Sequence, residues 1–97
     1  MAKMHDILDF LREVQPCLRQ DYKVNEIGLF GSVVRGEDKE TSDIDILVDL
    51  DESADLLDLI GLSQFLEEKL HQPVDVVPKS SLRREIREKV IQEVRYP

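Results

Sequence analysis

The sequence predicts an α/β (α+β) fold, a small three-stranded sheet with about four helices packed against it, in the order α-β-α-β-α-β-α. Three observations predict it. Apolar residues recur at helical spacing in three long stretches. Short, partly β-branched runs alternate with those stretches. Prolines, glycines and polar clusters separate the two kinds.

The elements follow in order. Ile7, Leu8, Phe10, Leu11, Val14 and Leu18 mark an amphipathic helix over about residues 4–19. Pro16 lacks a backbone donor and is expected to kink or end it early. Val24–Phe30 reads as a strand. Gly31-Ser32 opens a short helical stretch, Val33–Gly36, and residues 37–41 form a polar loop. Ile44–Leu50 reads as a second strand, with Ile44, Ile46 and Val48 on one face and Asp43, Asp45, Leu47 and Asp49 on the other. Leu56, Leu59, Ile60, Leu66 and Leu70 give a long helix from about residue 54 to 70, with Gly61 a weak point of ~1 kcal/mol against Ala. Residues 73–78 form a brief strand whose terminal prolines suit an edge. Ser80 or Ser81 is the expected N-cap of a last helix, in which Leu82, Ile86, Val90 and Val94 recur every four residues. That stripe either packs on the sheet or, with Arg83, Arg84 and Arg87 beside it, docks a partner protein.

Composition narrows the class. Ninety-seven residues make one domain, 1–97, and 41% apolar content is enough for a core. One cysteine, Cys17, forms no internal disulfide and fits a reducing, cytoplasmic setting. No apolar run approaches the ~20 residues that span a bilayer, and the N-terminus carries no signal-peptide pattern. The net charge of −8 is uneven: neutral over residues 1–36, −11 over 37–75 and +3 over 76–97. An acidic middle opposes a phosphate backbone but suits divalent cations. Five aromatics and no Trp leave little for base stacking, so nucleic acid is not an expected partner.

Three features carry chemistry. Gly31-Ser32 joins a strand to a helix, where backbone N–H groups and a hydroxyl can hold an anion. Asp43 and Asp45 lie two apart on a strand, so their carboxylates point the same way and repel. Asp75 stands between valines in the last strand, where an unpaired carboxylate is costly. It either joins the first two as a ligand, or caps the last helix or pairs with Arg83 or Arg84. Calcium-loop, P-loop, dinucleotide and zinc patterns all fail.

These residues carry a family resemblance. Leu29-Phe30-Gly31-Ser32-Val33-Val34-Arg35-Gly36, followed by Thr41-Ser42-Asp43-Ile44-Asp45-Ile46-Leu47-Val48, resembles the signature of the nucleotidyltransferases related to polymerase β, and their minimal branch in particular. Val34 stands where that branch often has Ala. Pro73-Val74-Asp75-Val76-Val77 resembles the strand of the third carboxylate. The likeness spans about residues 5–95 and implies a nucleotidyltransferase fold with a mixed sheet. It implies that Asp43, Asp45 and Asp75 are catalytic and hold two divalent ions, Mg²⁺, while Gly31 and Ser32 hold the β- and γ-phosphates of ATP. Arg35 supports the turn, either touching phosphate or pairing with an acidic neighbour, and Ser42 positions the turn before the strand.

Minimal nucleotidyltransferases stand beside a small helical HEPN-type toxin and act as antitoxin by adding AMP to its tyrosine. The resemblance implies the same function and partner here. A binding module that neutralises the partner by contact, and a nucleotidyltransferase for RNA or a small molecule, are the alternatives. Three converging carboxylates favour the enzyme, since binding alone has no need of them.

Overall fold

The computed structural model describes residues 3–37 and 43–97. Helix α1 (Lys3–Tyr22) leads into strand β1 (Val24–Phe30), the short helix α2 (Ser32–Arg35) and strand β2 (Ile44–Leu50). Helix α3 (Leu56–Leu70), strand β3 (Val74–Pro78), a 3-10 turn at Lys79–Ser81 and helix α4 (Arg84–Glu93) complete the chain. The α+β class, the element order and both long strands stand as predicted.

The sheet order is β1-β2-β3. β1 runs antiparallel to β2 and β3 parallel to it, so the sheet is mixed. β3 is an edge strand, which its terminal prolines tolerate because an outer edge needs no ladder donors.

Helices α1 and α3 cover one face. Ile7, Leu11 and Leu18 of α1 and Leu62 and Leu66 of α3 meet Ile27, Leu29, Ile44, Ile46 and Val48 in the main core. Each fully buried Leu or Ile there contributes about 1.5–3 kcal/mol by leaving water. On the opposite face Leu47 packs with Val90 and Val94 from the end of α4. The last-helix stripe is therefore mostly core, although Ile86 stays 47% exposed. Gly28 permits this closure, since a Cβ there would lie 2.6 Å from Val94 Cγ2. Beyond α4 the chain crosses to β1. Leu29 N–H donates to the Arg95 carbonyl at 2.9 Å, and Arg95 N–H returns a bond of 2.8 Å to the Leu29 carbonyl.

Three local expectations change. α1 runs through Pro16 to Tyr22, because Leu18 beyond the proline is fully buried and its packing holds the last turn. α2 begins one residue earlier, at Ser32. The last helix starts at Arg84, with Arg83 at the N-cap making no side-chain cap, and Ser80 and Ser81 belong to the 3-10 turn. Asp55 and Asp58 form a reciprocal cap at the start of α3: Asp55 accepts from Asp58 N–H, and Asp58 accepts from Asp55 N–H, each at 3.0 Å. The polar loop predicted over residues 37–41 falls mostly outside the described residues. Among those residues no helix is long and apolar enough to cross a membrane.

Pro16 is exposed in the interior of α1, where a proline forgoes a hydrogen bond and crowds the preceding turn. Pro16→Ala is expected to stabilise the chain by about 1–2 kcal/mol, once the lost restraint on the unfolded chain is subtracted. Thermal denaturation followed by circular dichroism should show a Tm higher by roughly 4–16 °C.

Candidate active site

The register of the sheet builds the site. Asp45, second residue of β2, is flanked by Phe30 of β1 on one side and Asp75 of β3 on the other. β1 ends there, and the chain turns at Gly31 into α2. Two aspartates from sequence positions thirty apart thus stand as neighbours, with Asp43 just ahead of the strand.

Gly31 has φ +81° and ψ −151°, a conformation that L side chains rarely adopt. The turn lies so close to β2 that a Cβ at this position would land on the Asp45 carboxylate. Glycine is therefore required by the aspartate itself, and not only by an approaching ligand. The backbone N–H of Gly31 donates to Glu93 Oε2 at 2.9 Å, across 62 residues of sequence.

The electrostatics are those of crowded carboxylates. Burial pushes the Asp45 carboxyl above its usual range, and the charges of Asp75 and Asp43 push it further. The Arg35 charge and the Ser32 backbone N–H pull the other way without prevailing. Among the described residues no cation pairs with Asp75, so neither Arg83 nor Arg84 claims it. Asp75 is exposed, and it does not cap α4, whose N-cap is Arg83.

Arg35 pairs with acidic neighbours. Its Nη1 lies 2.7 Å from Glu93 Oε1 and its Nε 3.0 Å from Glu37 Oε1. Those bonds, from Glu93 first, hold the guanidinium still more firmly protonated. Burial alone would raise the Glu93 carboxyl, but Arg35 and the Gly31 N–H together hold it below the usual range.

A cleft of about 330 Å³ opens between this cluster and α4. Asp45, Asp75, Arg35, Gly31, Glu93 and Lys89 supply its polar lining, and Phe30, Val77, Leu82, Ile86 and Val90 its apolar wall. Of the residues singled out in the sequence, Gly31, Arg35, Asp45 and Asp75 line this one cleft. Ser32 starts α2 beside it, Asp43 acts on Asp45 through its charge, and Ser42 lies outside the described residues. Glu93 and Lys89 were missed, because a lone Glu and Lys in an amphipathic helix read as solvated charges. Only the packing of α4 brings them to the site.

Carboxylate oxygens held close and short of cations are a donor set that suits Mg²⁺. Among the described residues no three His, Cys, Asp or Glu side chains stand, as placed, around one point at metal-binding distance. The repulsion that raises Asp45 is what a bound cation would relieve.

The chain is similar to known proteins over most of its length. A family model described as the nucleotidyltransferase domain matches residues 11–97. The protein adenylyltransferase MntA of Thermococcus cleftensis is 47% identical over 96 residues, which cover 99% of this chain and 97% of that protein. A crystal structure of a toxin-antitoxin with AMP-PNP is similar with a TM-score of 0.69 at 29% identity, covering 87% of this chain and 69% of that one. The tri-AMPylated Shewanella oneidensis HEPN toxin in complex with MNT antitoxin is similar with a TM-score of 0.64 at 25% identity, covering 92% and 70%.

Two outcomes are expected at the cluster. Gly31→Ala strains a left-handed turn and collides with Asp45, so it should destabilise by about 1–3 kcal/mol in denaturant titrations. For Asp45, the folded chain holds the proton more tightly than the unfolded chain, whose value is near 3.8. Stability therefore falls as pH rises through the raised value, because the folded state binds more protons in that window. In metal-free buffer Asp45→Asn should have the higher Tm at neutral pH, with the difference vanishing below about pH 4.

Proposed function

The chain belongs to the nucleotidyltransferase domain family, and on that premise we propose that it transfers AMP from ATP to a tyrosine hydroxyl of a HEPN-type toxin, acting as antitoxin of the pair. The observation that carries this reading is the pairing of Asp45 with Asp75 across parallel strands, beside Asp43 and at the mouth of a cleft. Setting like charges side by side costs stability, and binding a protein partner has no need of it. Relatives support the acceptor: one is named a protein adenylyltransferase, and two similar structures hold an ATP analogue and an AMPylated HEPN toxin.

In this reading Asp43, Asp45 and Asp75 would hold two Mg²⁺ ions. Bound Mg²⁺ supplies positive charge against the triphosphate and the attacking hydroxyl. The protein's own residues do the rest. The Phe30 and Asp75 register on either side fixes the backbone of Asp45, so its side chain leaves the strand on the face of the cleft. Ser32, at the start of α2, offers its hydroxyl to the β- and γ-phosphates, and Gly31 leaves the space in which they approach. Arg35 is anchored on Glu93 and Glu37, so it supports the turn and sets a fixed positive charge opposite the carboxylates. The tyrosine oxygen attacks the α-phosphorus in line, a new P–O bond forms, and the bond to pyrophosphate breaks. The tyrosine proton passes to solvent water, and pyrophosphate leaves with the electron pair of the broken bond.

The test is to incubate the chain with ATP, Mg²⁺ and the HEPN-type protein of the neighbouring reading frame, and to weigh that protein by intact-mass spectrometry. Addition of AMP units that depends on ATP is the expected result; an unmodified but inactivated toxin would refute transfer. Asp43→Asn, Asp45→Asn and Asp75→Asn should each stay folded and lose more than about 100-fold in the rate of modification, the upper end of what an outer-shell ligand change costs. Rapid-quench time courses with each variant measure this.

A further inference from the structure

We infer that Glu93 is a positioning residue for nucleotidyl transfer, an assignment that rests on the function proposed above. One carboxylate serves two elements of the site. Oε2 accepts the Gly31 N–H at 2.9 Å, and Oε1 accepts from Arg35 Nη1 at 2.7 Å. Both are charge-assisted bonds, the stronger class. The side chain is only 13% exposed, whereas Glu37, the other partner of Arg35, is 64% exposed. Glu93 is thus the sheltered anchor, and Glu37 sits at the solvent rim.

The backbone around Glu93 cannot drift. Val94 N–H is bonded to the Val90 carbonyl at 2.9 Å, and Arg95 exchanges two bonds with Leu29 in β1. Val90 and Val94 are buried against Leu47. The carboxylate is therefore presented from a fixed support, and its hold on the Gly31 N–H orients the Phe30–Gly31 peptide. That peptide starts the left-handed turn that lays Gly31 on Asp45 and places Ser32 at the head of α2.

Through Arg35 the same carboxylate controls where a positive charge stands. Arg35 lines the same cleft as Asp45 and Asp75. Held by Glu93, the guanidinium stays beside the carboxylates without closing on them. Released, it would be drawn toward Asp45 and Asp75, and would neutralise the groups that have to act. Glu93 touches neither the reacting atoms nor, in this arrangement, the aspartates. It acts by holding Gly31 and Arg35 in place.

The test uses Glu93→Gln in the full chain, with the HEPN-type partner, ATP and Mg²⁺ for kinetics and AMP-PNP for binding. Loosened alignment should lower kcat by on the order of 10–100-fold. KM for ATP and the AMP-PNP affinity from calorimetry should stay within about threefold, since the loss is in the transition state. The Gly31 amide proton should shift upfield in NMR as its charged acceptor is lost. Unchanged kcat with a lowered Tm would make the contact merely structural and overturn the inference. Tighter AMP-PNP binding with a lower KM would overturn it too, because Glu93 would then be a competitor of the phosphates. If Glu93→Gln does not fold, Glu93→Asp, which keeps the charge but is one methylene short of bridging both partners, is read by the same criteria. A wild type that leaves the partner unmodified brings down the proposed function, and this inference with it. A wild type that works beside an unimpaired variant brings down the inference alone.

Discussion

β2 is the central strand, so both of its faces need cover, and its side chains alternate between them. Ile44, Ile46 and Val48 point into the core under α1 and α3, where each is almost completely buried. Leu47 points the other way and needs the end of α4 as a lid. Asp45 shares that second face, one step nearer the strand's start, where α4 does not close. The cleft exists because this face is filled over Leu47 and left open over Asp45. A one-residue slip of β2 would put Asp45 into the main core and expose the isoleucines, so the apolar alternation protects the register and with it the site.

The parallel pairing with β3 adds the electrostatic cost. It sets Asp75 beside Asp45, and no cation among the described residues pairs with Asp75. The chain keeps Arg35 near but engages it elsewhere, on Glu93 and Glu37. The result is a cluster short of positive charge. Among the described residues no buried side-chain polar atom lacks a hydrogen bond. At the carboxylates like charges stand together unrelieved, the kind of local conflict expected at a functional site.

The family's short signature has a physical reading here. Glycine follows β1 because Asp45 occupies the space a side chain would need. The second glycine, Gly36, closes α2 in a left-handed conformation and donates its N–H to the last turn. Ser32 between them begins the helix beside the carboxylates. The spacing from Gly31 to Asp45 reflects one turn, one short helix and a return to the central strand. Each residue of the pattern has a geometric reason in the sheet as well as a chemical one.

Much of this was legible in the sequence. β1 and β2 were readable to the residue, because apolar runs bounded by turn residues are determined locally. The motif aspartates were readable because strand periodicity alone puts alternate side chains on one face. Three things were not. By local rules Pro16 was expected to kink α1 or end it early, yet burial of Leu18 carried the helix through it, since packing energy exceeds the cost of one proline. The start of α4 was misplaced because a serine that looks like a cap was used in a 3-10 turn. Glu93 was invisible because its partners lie 58 and 62 residues away, and no periodicity links them. Local sequence determined the elements and the carboxylates. Tertiary structure decided which charge holds which, because hydrogen bonds and ion pairs depend on distance in space, and only the folded chain brings the turn after β1 against the end of α4.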